Sequence, residues 1–227
     1  MAIAAASCGG RTDTPPASQS SGAPPAAAIA DQRPRVLIIG TSLTAGYGLD
    51  DPGDAYPGVL QRIADSAGYA YRIVNAGLSG ETSAGALRRT EWLLRDSASV
   101  VMIETGANDG LRGLDPDTTA ANLRAIVAVV RAKLPAARIV IAQMEAPPNL
   151  GPAYTGRFHA LFGAVARETG ATLMPFLLDG VAGDPKLNQG DGIHPTKEGA
   201  VRVARNVWRT LGSLLQSGPK TEDRNAK

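Results

Sequence analysis

Short apolar runs alternate with longer amphipathic segments along most of the chain. The runs are read as buried strands, and they cover Arg35–Ile39, Tyr71–Asn75, Val100–Thr105, Arg138–Ala142 and Thr172–Met174. The segments between and after them have helical spacing, and they cover Tyr56–Ala67, Ser83–Arg95, Asp117–Leu134, Thr155–Thr169 and Glu198–Leu215. Strands that alternate with helices in this way predict an α/β fold with a parallel sheet covered on both faces. In such sheets ligands bind at the carboxyl ends of the strands, so the residues after each strand matter most.

Composition changes along the chain and suggests its domain organisation. Residues 9–34 are rich in Ala, Pro, Ser and Gly. Such a segment cannot bury enough apolar surface to offset its ordering entropy, so we predict a disordered linker. Residues 217–227 are polar and are expected to form a frayed tail. The folded domain is therefore predicted to span residues 35–216.

The first ten residues, MAIAAASCGG, place small side chains directly before Cys8. This arrangement is similar to the end of a bacterial lipoprotein signal, in which the cysteine is lipidated, but it lacks a basic region and a full apolar region. One hypothesis is that residues 1–8 are the end of a truncated lipoprotein signal. That would predict a periplasmic or membrane-anchored lipoprotein attached through Cys8. The alternative is a disordered tail with an incidental cysteine, and the sequence leaves both open.

Overall composition excludes several classes of function. The formal net charge is only +2 and aromatic residues make up 4%, which argues against nucleic-acid binding. One cysteine permits no intrachain disulfide, and one cysteine with two histidines almost excludes a Cys/His zinc cluster. The sequence contains no run of 18 apolar residues.

The stretch GTSLTAGYG follows the first predicted strand and offers a candidate nucleophile. Its glycine spacing does not fit a phosphate-binding loop, a dinucleotide fingerprint or the G-x-S-x-G elbow. What remains is a strand, a glycine, Thr41 and Ser42, and then the start of a helix. On this stretch alone an N-cap serine is the favoured interpretation. A serine becomes a nucleophile only when a base takes its proton, and in practice that base is a histidine.

The stretch GDGIHPTKEG, before the last helix, supplies a candidate base. Asp191 and His194 are three residues apart, so one tight turn can bring the carboxylate against the imidazole and fix its tautomer. The alternative is an ordinary surface loop before a helix. The other histidine, His159, lies in an amphipathic helix and is interpreted as structural or solvent-facing.

Two further loops after predicted strands could donate hydrogen bonds to an oxyanion. In VNAGLSGETSAG, Gly77 has no Cβ and could bring its backbone N–H close. In ETGANDGLRG, Asn108 carries a side-chain NH₂ donor. Glycine and asparagine also favour ordinary turns, so neither loop is informative by itself.

Taken together, GTSLTAGYG, NAGLSGETSAG, GANDGLRG and DGIHP resemble the four blocks of the SGNH hydrolases, also called the GDSL esterase/lipase family. The resemblance runs from about Val36 to Ala204 and is strongest to the bacterial arylesterase and thioesterase I/lysophospholipase subgroup. It implies a flavodoxin-like three-layer α/β/α sandwich with a five-stranded parallel sheet. It also implies a serine hydrolase of carboxylic esters, extending to thioesters and lysophospholipids, that needs no metal and no organic cofactor.

The resemblance assigns a role to each matching residue of this chain. Ser42 matches the nucleophile and supplies its own N–H to the oxyanion hole, with Gly77 as the second donor and Asn108 as the third. His194 matches the general base and Asp191 its partner. One position departs, because Thr41 stands where the family usually has Asp. The change puts the rigidity of the turn in question, since a hydroxyl cannot accept two charge-assisted bonds.

Two other functions remain open at this level. A carbohydrate esterase that removes acetyl groups would use the same chemistry on another substrate. A non-catalytic binding domain of the same fold is supported only by Thr41. The segment Glu145–Gly156, with three prolines, should border the site and is interpreted either as a loop over the acyl chain or as a plain connector.

Overall fold

The computed structural model describes residues 1–2, 31–216 and 218–220. Three predicted segments lie wholly or largely outside the described residues. They are the lipoprotein signal at residues 1–8, which contains Cys8, the linker at 9–34 and the tail at 217–227. Those three interpretations stay predictions. Within the described part of the chain, no helix is long and apolar enough to cross a membrane.

Five parallel strands form one sheet at the centre of the domain. They are β1 (Arg35–Gly40), β2 (Arg72–Gly77), β3 (Val100–Ile103), β4 (Arg138–Ala142) and β5 (Thr172–Met174). Their spatial order is β2-β1-β3-β4-β5, and every neighbouring pair is parallel. The chain therefore starts near the middle of the sheet, winds to one edge and then returns across β1 to the other. The predicted five-stranded parallel sheet is confirmed.

Helices connect the strands on both faces of the sheet. They are α1 (Ser42–Ala45), α2 (Tyr56–Ser66), α3 (Ser83–Leu93), α4 (Ala107–Leu111), α5 (Pro116–Lys133), α6 (Pro152–Thr169) and α7 (Lys197–Leu215). Helices α3, α5 and α6 pack side by side in one layer, whereas α2 and α7 pack together in another. The α/β/α sandwich is thus the observed architecture, as predicted.

Burial follows the position of each strand in the sheet. The central strands β1, β3 and β4 are buried almost throughout, whereas the edge strands β2 and β5 keep several exposed residues. The helices cover the sheet with aliphatic side chains and with two fully buried rings of α6, Phe158 and Phe162. Burial of this apolar surface is the main driving force for folding.

The sequence prediction differs from the structure mainly at the ends of elements. Helix α6 begins at Pro152 instead of Thr155, because proline fits the first turn, where its missing N–H would have no partner. The short helix α4 was missed, since its sequence ANDGL contains poor helix formers. Strand β2 continues to Gly77, two residues beyond its predicted end, and this shift affects the candidate site.

Candidate active site

The turn after β1 presents Ser42 at the carboxyl edge of the sheet. Strand β1 ends at Gly40, Thr41 is extended, and Ser42 is the first residue of the single-turn helix α1. A side chain at position 40 would collide with Thr44, so glycine is required for the chain to turn this tightly. Among the described residues, nothing accepts a hydrogen bond from the Ser42 N–H. The serine therefore presents both a hydroxyl and an unused backbone donor.

The imidazole of His194 joins Ser42 to Asp191. Its Nε2 lies 2.8 Å from Ser42 Oγ, and its Nδ1 lies 2.6 Å from Asp191 Oδ2. With Nδ1–H donating to the carboxylate, Nε2 is left to accept the serine proton. The side chain of His194 is only 15% exposed. The arrangement predicted for these three residues is therefore the one the structure contains.

Asp191 is held in place by the turn that it begins. Its Oδ1 accepts hydrogen bonds from the backbone N–H groups of Ile193 and His194, at 2.9 and 3.0 Å. The bond from the His194 ring and these two N–H groups lower the pKa of Asp191 to about 2. The carboxylate is thus charged at neutral pH and favours an imidazolium when one forms.

Gly77 was predicted as an oxyanion donor, and the structure corrects this prediction. As the last residue of β2, Gly77 donates its N–H to Asn75 Oδ1 at 2.9 Å, and it does not line the cavity at Ser42. Its position is set by packing instead, because a Cβ there would collide with the backbone of Ala45 and Thr41. The absent side chain lets β2 approach the turn that carries Ser42.

Gly80, three residues further on, takes the place expected for Gly77. It lines the cavity with Ser42, and no described residue accepts a bond from its N–H. Its φ of +77° is in the left-handed region that favours glycine, and its carbonyl accepts a hydrogen bond from Arg112 at 2.9 Å. The sequence signal was Gly80, the second glycine in GLSGE, which was passed over because the strand was predicted to end two residues too early.

Asn108 was predicted to lie in a loop; it lies in α4, and it lines the same cavity as Ser42. One hydrogen of its Nδ2 donates to the backbone carbonyl of Glu81 at 3.0 Å. A primary amide has two N–H donors, so this bond fixes the side chain and leaves the second hydrogen for a ligand.

A salt bridge and several hydrogen bonds connect the three loops that form the cavity. Arg89 of α3 forms a largely buried salt bridge with Glu81 at 2.7 Å and donates to the carbonyl of Gly40 at 3.0 Å. The buried carboxylate of Asp109 accepts bonds from the N–H and hydroxyl of Ser83, at 2.8 and 2.5 Å. These contacts tie the loops after β1, β2 and β3 together.

Thr41, the position at which the sequence departs from the family, lies buried below the turn. Its N–H and its hydroxyl each donate to an oxygen of the buried Glu104, both at 2.9 Å. Glu104 directly follows β3. The sequence analysis placed it inside the predicted strand Val100–Thr105 and gave it no role, because the run itself does not show what a buried carboxylate would contact.

A cavity of about 530 Å³ opens beside Ser42 and His194. Most of its lining is apolar, and the main contributors are Leu43, Leu111, Met144, Pro147, Phe176, Leu178 and Ile193. The segment that begins at Glu145 borders it, as expected from its place after β4. The other histidine, His159, is 61% exposed and contacts Glu145 at 2.7 Å, which agrees with a solvent-facing interpretation.

Among the described residues, no group of three or more His, Cys, Asp or Glu side chains is placed to hold a metal ion.

Comparisons with known proteins identify the family of this chain. The model of the GDSL-like Lipase/Acylhydrolase family matches residues 38–202. Esterase TesA of Pseudomonas aeruginosa is 41% identical over 181 residues, which are 79% of this chain and 89% of the relative. Thioesterase 1/protease 1/lysophospholipase L1 of Escherichia coli K12 is 36% identical over 181 residues, covering 79% and 84% of the two chains. Arylesterase of Vibrio mimicus is 32% identical over 178 residues, covering 78% and 88%.

Solved structures of esterases are also similar to this chain. The crystal structure of TesA matches with a TM-score of 0.75 at 40% identity, over 79% of this chain and 99% of that one. The psychrotrophic esterase EstA from Pseudoalteromonas sp., inhibited by monoethylphosphonate, matches with a TM-score of 0.75 at 35% identity, over 80% and 98%. The chain therefore belongs to the GDSL-like lipase/acylhydrolase family, and it is a serine hydrolase that acts on esters.

Proposed function

We propose that Ser42 is the nucleophile of an acyl-ester hydrolase and that His194 and Asp191 activate it. The observation that carries the proposal is the continuous chain of hydrogen bonds from Ser42 Oγ through His194 to Asp191, at 2.8 and 2.6 Å. Ser42 and His194 are 152 residues apart in sequence, so no local turn preference accounts for their contact. A serine on a base that is itself oriented by a carboxylate is the arrangement that nucleophilic acyl transfer requires.

In the proposed reaction Ser42 Oγ attacks the carbonyl carbon of the ester while His194 Nε2 takes the serine proton. The tetrahedral oxyanion accepts hydrogen bonds from the N–H groups of Ser42 and Gly80 and from the amide of Asn108. Collapse breaks the bond to the leaving alcohol or thiol, which receives its proton from His194. Water, deprotonated by the same imidazole, then attacks the acyl-enzyme. Collapse of the second intermediate releases the carboxylic acid and returns the proton to Ser42.

The shape and lining of the cavity favour substrates with an extended acyl chain. The largely apolar cavity next to the nucleophile has a volume of about 530 Å³, which is much larger than an acetyl group. This volume falls within the usual range for small-molecule sites. Relatives named esterase, arylesterase and thioesterase 1/lysophospholipase L1 support the same classes. We therefore propose that aryl and alkyl acyl esters, acyl thioesters and lysophospholipids are its substrates.

The acetyl esterase alternative predicts a different activity profile. Hydrolysis rates should be compared for p-nitrophenyl acetate, longer p-nitrophenyl acyl esters, an acyl thioester, a lysophospholipid and an acetylated sugar. The proposal expects higher kcat/KM for acyl chains longer than acetyl. A preference confined to acetyl groups, with turnover of the sugar, would favour the carbohydrate esterase.

The decisive test of the catalytic role is replacement of Ser42 by alanine. Ser42→Ala should abolish turnover of the acyl ester while circular dichroism shows the fold unchanged. Retention of full activity would reject this mechanism.

From the sequence alone, we propose that the enzyme is a periplasmic or membrane-anchored lipoprotein attached through Cys8. Small residues before Cys8 support export and lipidation at that cysteine. The reading frame upstream of Met1 should then encode a basic segment followed by an apolar one. Absence of both would reject the proposal.

A further inference from the structure

Glu104 is a buried carboxyl group for which the proposed mechanism has no chemical use. It is 0% exposed and follows β3 directly. Its backbone N–H donates to the carbonyl of Ile39 at 2.8 Å, which continues the pairing of β3 with β1. The side chain therefore lies directly beneath the end of the strand that leads to Ser42. Burial raises the pKa of Glu104, so the group costs free energy to keep there as a charge.

Every hydrogen bond of the Glu104 carboxyl group that the structure shows goes to the turn carrying the nucleophile. Oε1 accepts from the Thr41 hydroxyl at 2.9 Å. Oε2 accepts from the Thr41 N–H at 2.9 Å and from the Thr44 hydroxyl at 2.7 Å. Because the Thr44 proton goes to Glu104, Tyr56 donates its own hydroxyl proton to Thr44 Oγ1, at 2.7 Å. The four side chains form one connected, buried network.

Ser42 lies between the two threonines that this carboxyl group holds. Helix α1 has no side-chain N-cap, since the hydroxyl of its N-cap residue Thr41 is directed to Glu104 instead. A helix of four residues is too short to be stable by itself. The position of the Ser42 hydroxyl and of its N–H therefore depends on what fixes Thr41 and Thr44.

We propose that Glu104 is a positioning residue for Ser42, acting through Thr41 and Thr44. It holds the β1–α1 turn so that Ser42 Oγ meets His194 and the Ser42 N–H faces the oxyanion. The inference rests on the proposed function, because its readout is turnover through Ser42. It also gives Thr41 a role: a hydroxyl donates to a carboxylate and accepts from a carboxylic acid, so it can bind Glu104 in either protonation state.

The first test compares two variants at position 41 with a matched buried threonine. Thr41→Val removes the hydroxyl at nearly constant volume, whereas Thr41→Ser keeps it. Thr90→Val is the control, because Thr90 is equally buried but its hydroxyl donates within α3 to Ala86 at 2.7 Å. Displacement of a reacting group by about 1 Å can cost about 10²-fold in rate. We expect Thr41→Val to lower kcat about 10- to 100-fold with little change in KM.

Thr41→Ser and Thr90→Val should keep kcat within about threefold of the wild type. The rate of Ser42 labelling by a fluorophosphonate should fall in parallel with kcat in Thr41→Val. If Thr41→Val melts at a lower temperature yet keeps wild-type kcat and labelling below its transition, Glu104 and Thr41 act only on stability and the proposal is overturned.

The second test is a double-mutant cycle between Glu104 and Thr41. In Glu104→Gln the amide oxygen can accept the bonds made to Oε2, and the amide NH₂ can donate to Thr41 Oγ1 if that hydroxyl rotates. Glu104→Gln alone should therefore keep kcat within about tenfold of wild type. Adding Thr41→Val removes the acceptor for that NH₂, so kcat of the double variant should fall by more than the product of the two single fold-losses. A fall equal to that product would overturn the coupling.

Failure of this inference can be told from failure of the proposed function. If Ser42→Ala stays active, the function is wrong whatever Thr41→Val does. If Ser42→Ala is inactive and Thr41→Val is fully active, the function stands and only the positioning role of Glu104 is rejected.

Discussion

The ring of Tyr47 lies against the imidazole of His194, with centroids 4.6 Å apart and planes inclined by 41°. Tyr47 follows the helix that begins at Ser42, and its carbonyl accepts a hydrogen bond from Gln189 at 2.8 Å. Tyr47 therefore contacts the loop that carries His194 in two ways, through its ring and through its carbonyl. Tyr47 also lines the cavity, and it is 55% exposed.

Removing the ring of Tyr47 should loosen His194. Tyr47→Ala is expected to lower kcat about tenfold, because the imidazole loses a packing partner that holds its orientation. Tyr47→Phe keeps the ring and should retain nearly full kcat. Steady-state kinetics on a p-nitrophenyl acyl ester gives the comparison. Equal losses in both variants would show that the hydroxyl, and not the packing, matters.

Asn108 should stabilise the transition state more than it stabilises the bound substrate. Asn108→Ala removes a donor to the oxyanion, and such losses typically reduce kcat by about 10²–10³ with a small effect on KM. Asn149→Ala, an exposed residue of the loop after β4, is the control and should be neutral. A rise in KM at constant kcat for Asn108→Ala would instead assign it to ground-state binding.

The lowered pKa of Asp191 predicts how its charge contributes to stability. The group has a folded pKa of about 2 against an ordinary value of 3.8. Its charge therefore stabilises the fold at pH values above about 3.8, and that contribution is lost as the pH falls towards 2. Urea unfolding of the wild type and Asp191→Asn should show a difference at pH 5 that shrinks as the pH falls towards 2. A difference that widens over that range would contradict the assignment.

The acyl-chain preference should respond to filling the cavity. Ala146 lines it on the loop after β4, so Ala146→Phe should reduce kcat/KM for long acyl esters while p-nitrophenyl acetate is still hydrolysed. Ala132→Phe, on the exposed side of α5, is the control and should change neither. If Ala146→Phe lowered the rates for all chain lengths equally, this loop would not determine chain length.

The sheet was predictable because its signal is local: apolar runs of three to six residues marked the buried strands. The triad has no such local signal, since Ser42 alone favoured a helix cap and the Asp191–His194 stretch alone left a surface loop open. Only the resemblance of four separated blocks to one family brought the three residues together. The roles of Gly77 and Gly80 were not separable in this way. Gly77 is the last residue of β2 and Gly80 follows it, and only this extension of the strand decides which of the two lines the cavity. The assignment therefore depends on where the strand ends.

The support of Ser42 by Glu104 could not be predicted for a different reason. The carboxyl group is buried by contacts with Thr41 and Thr44, which are about 60 residues away in sequence and belong to another strand connection. No periodicity or local motif marks such a contact. The only sequence signal at this turn was Thr41, which stands where the family usually has Asp and put the rigidity of the turn in question.

The central claim is that Ser42 forms the covalent acyl-enzyme. Its most direct test is to react the enzyme with a fluorophosphonate and to locate the adduct by peptide mass spectrometry. We predict stoichiometric labelling of Ser42, no labelling in Ser42→Ala and strongly slowed labelling in His194→Ala. An adduct on any other residue, or hydrolysis of acyl esters by an enzyme whose Ser42 does not react, would contradict the claim.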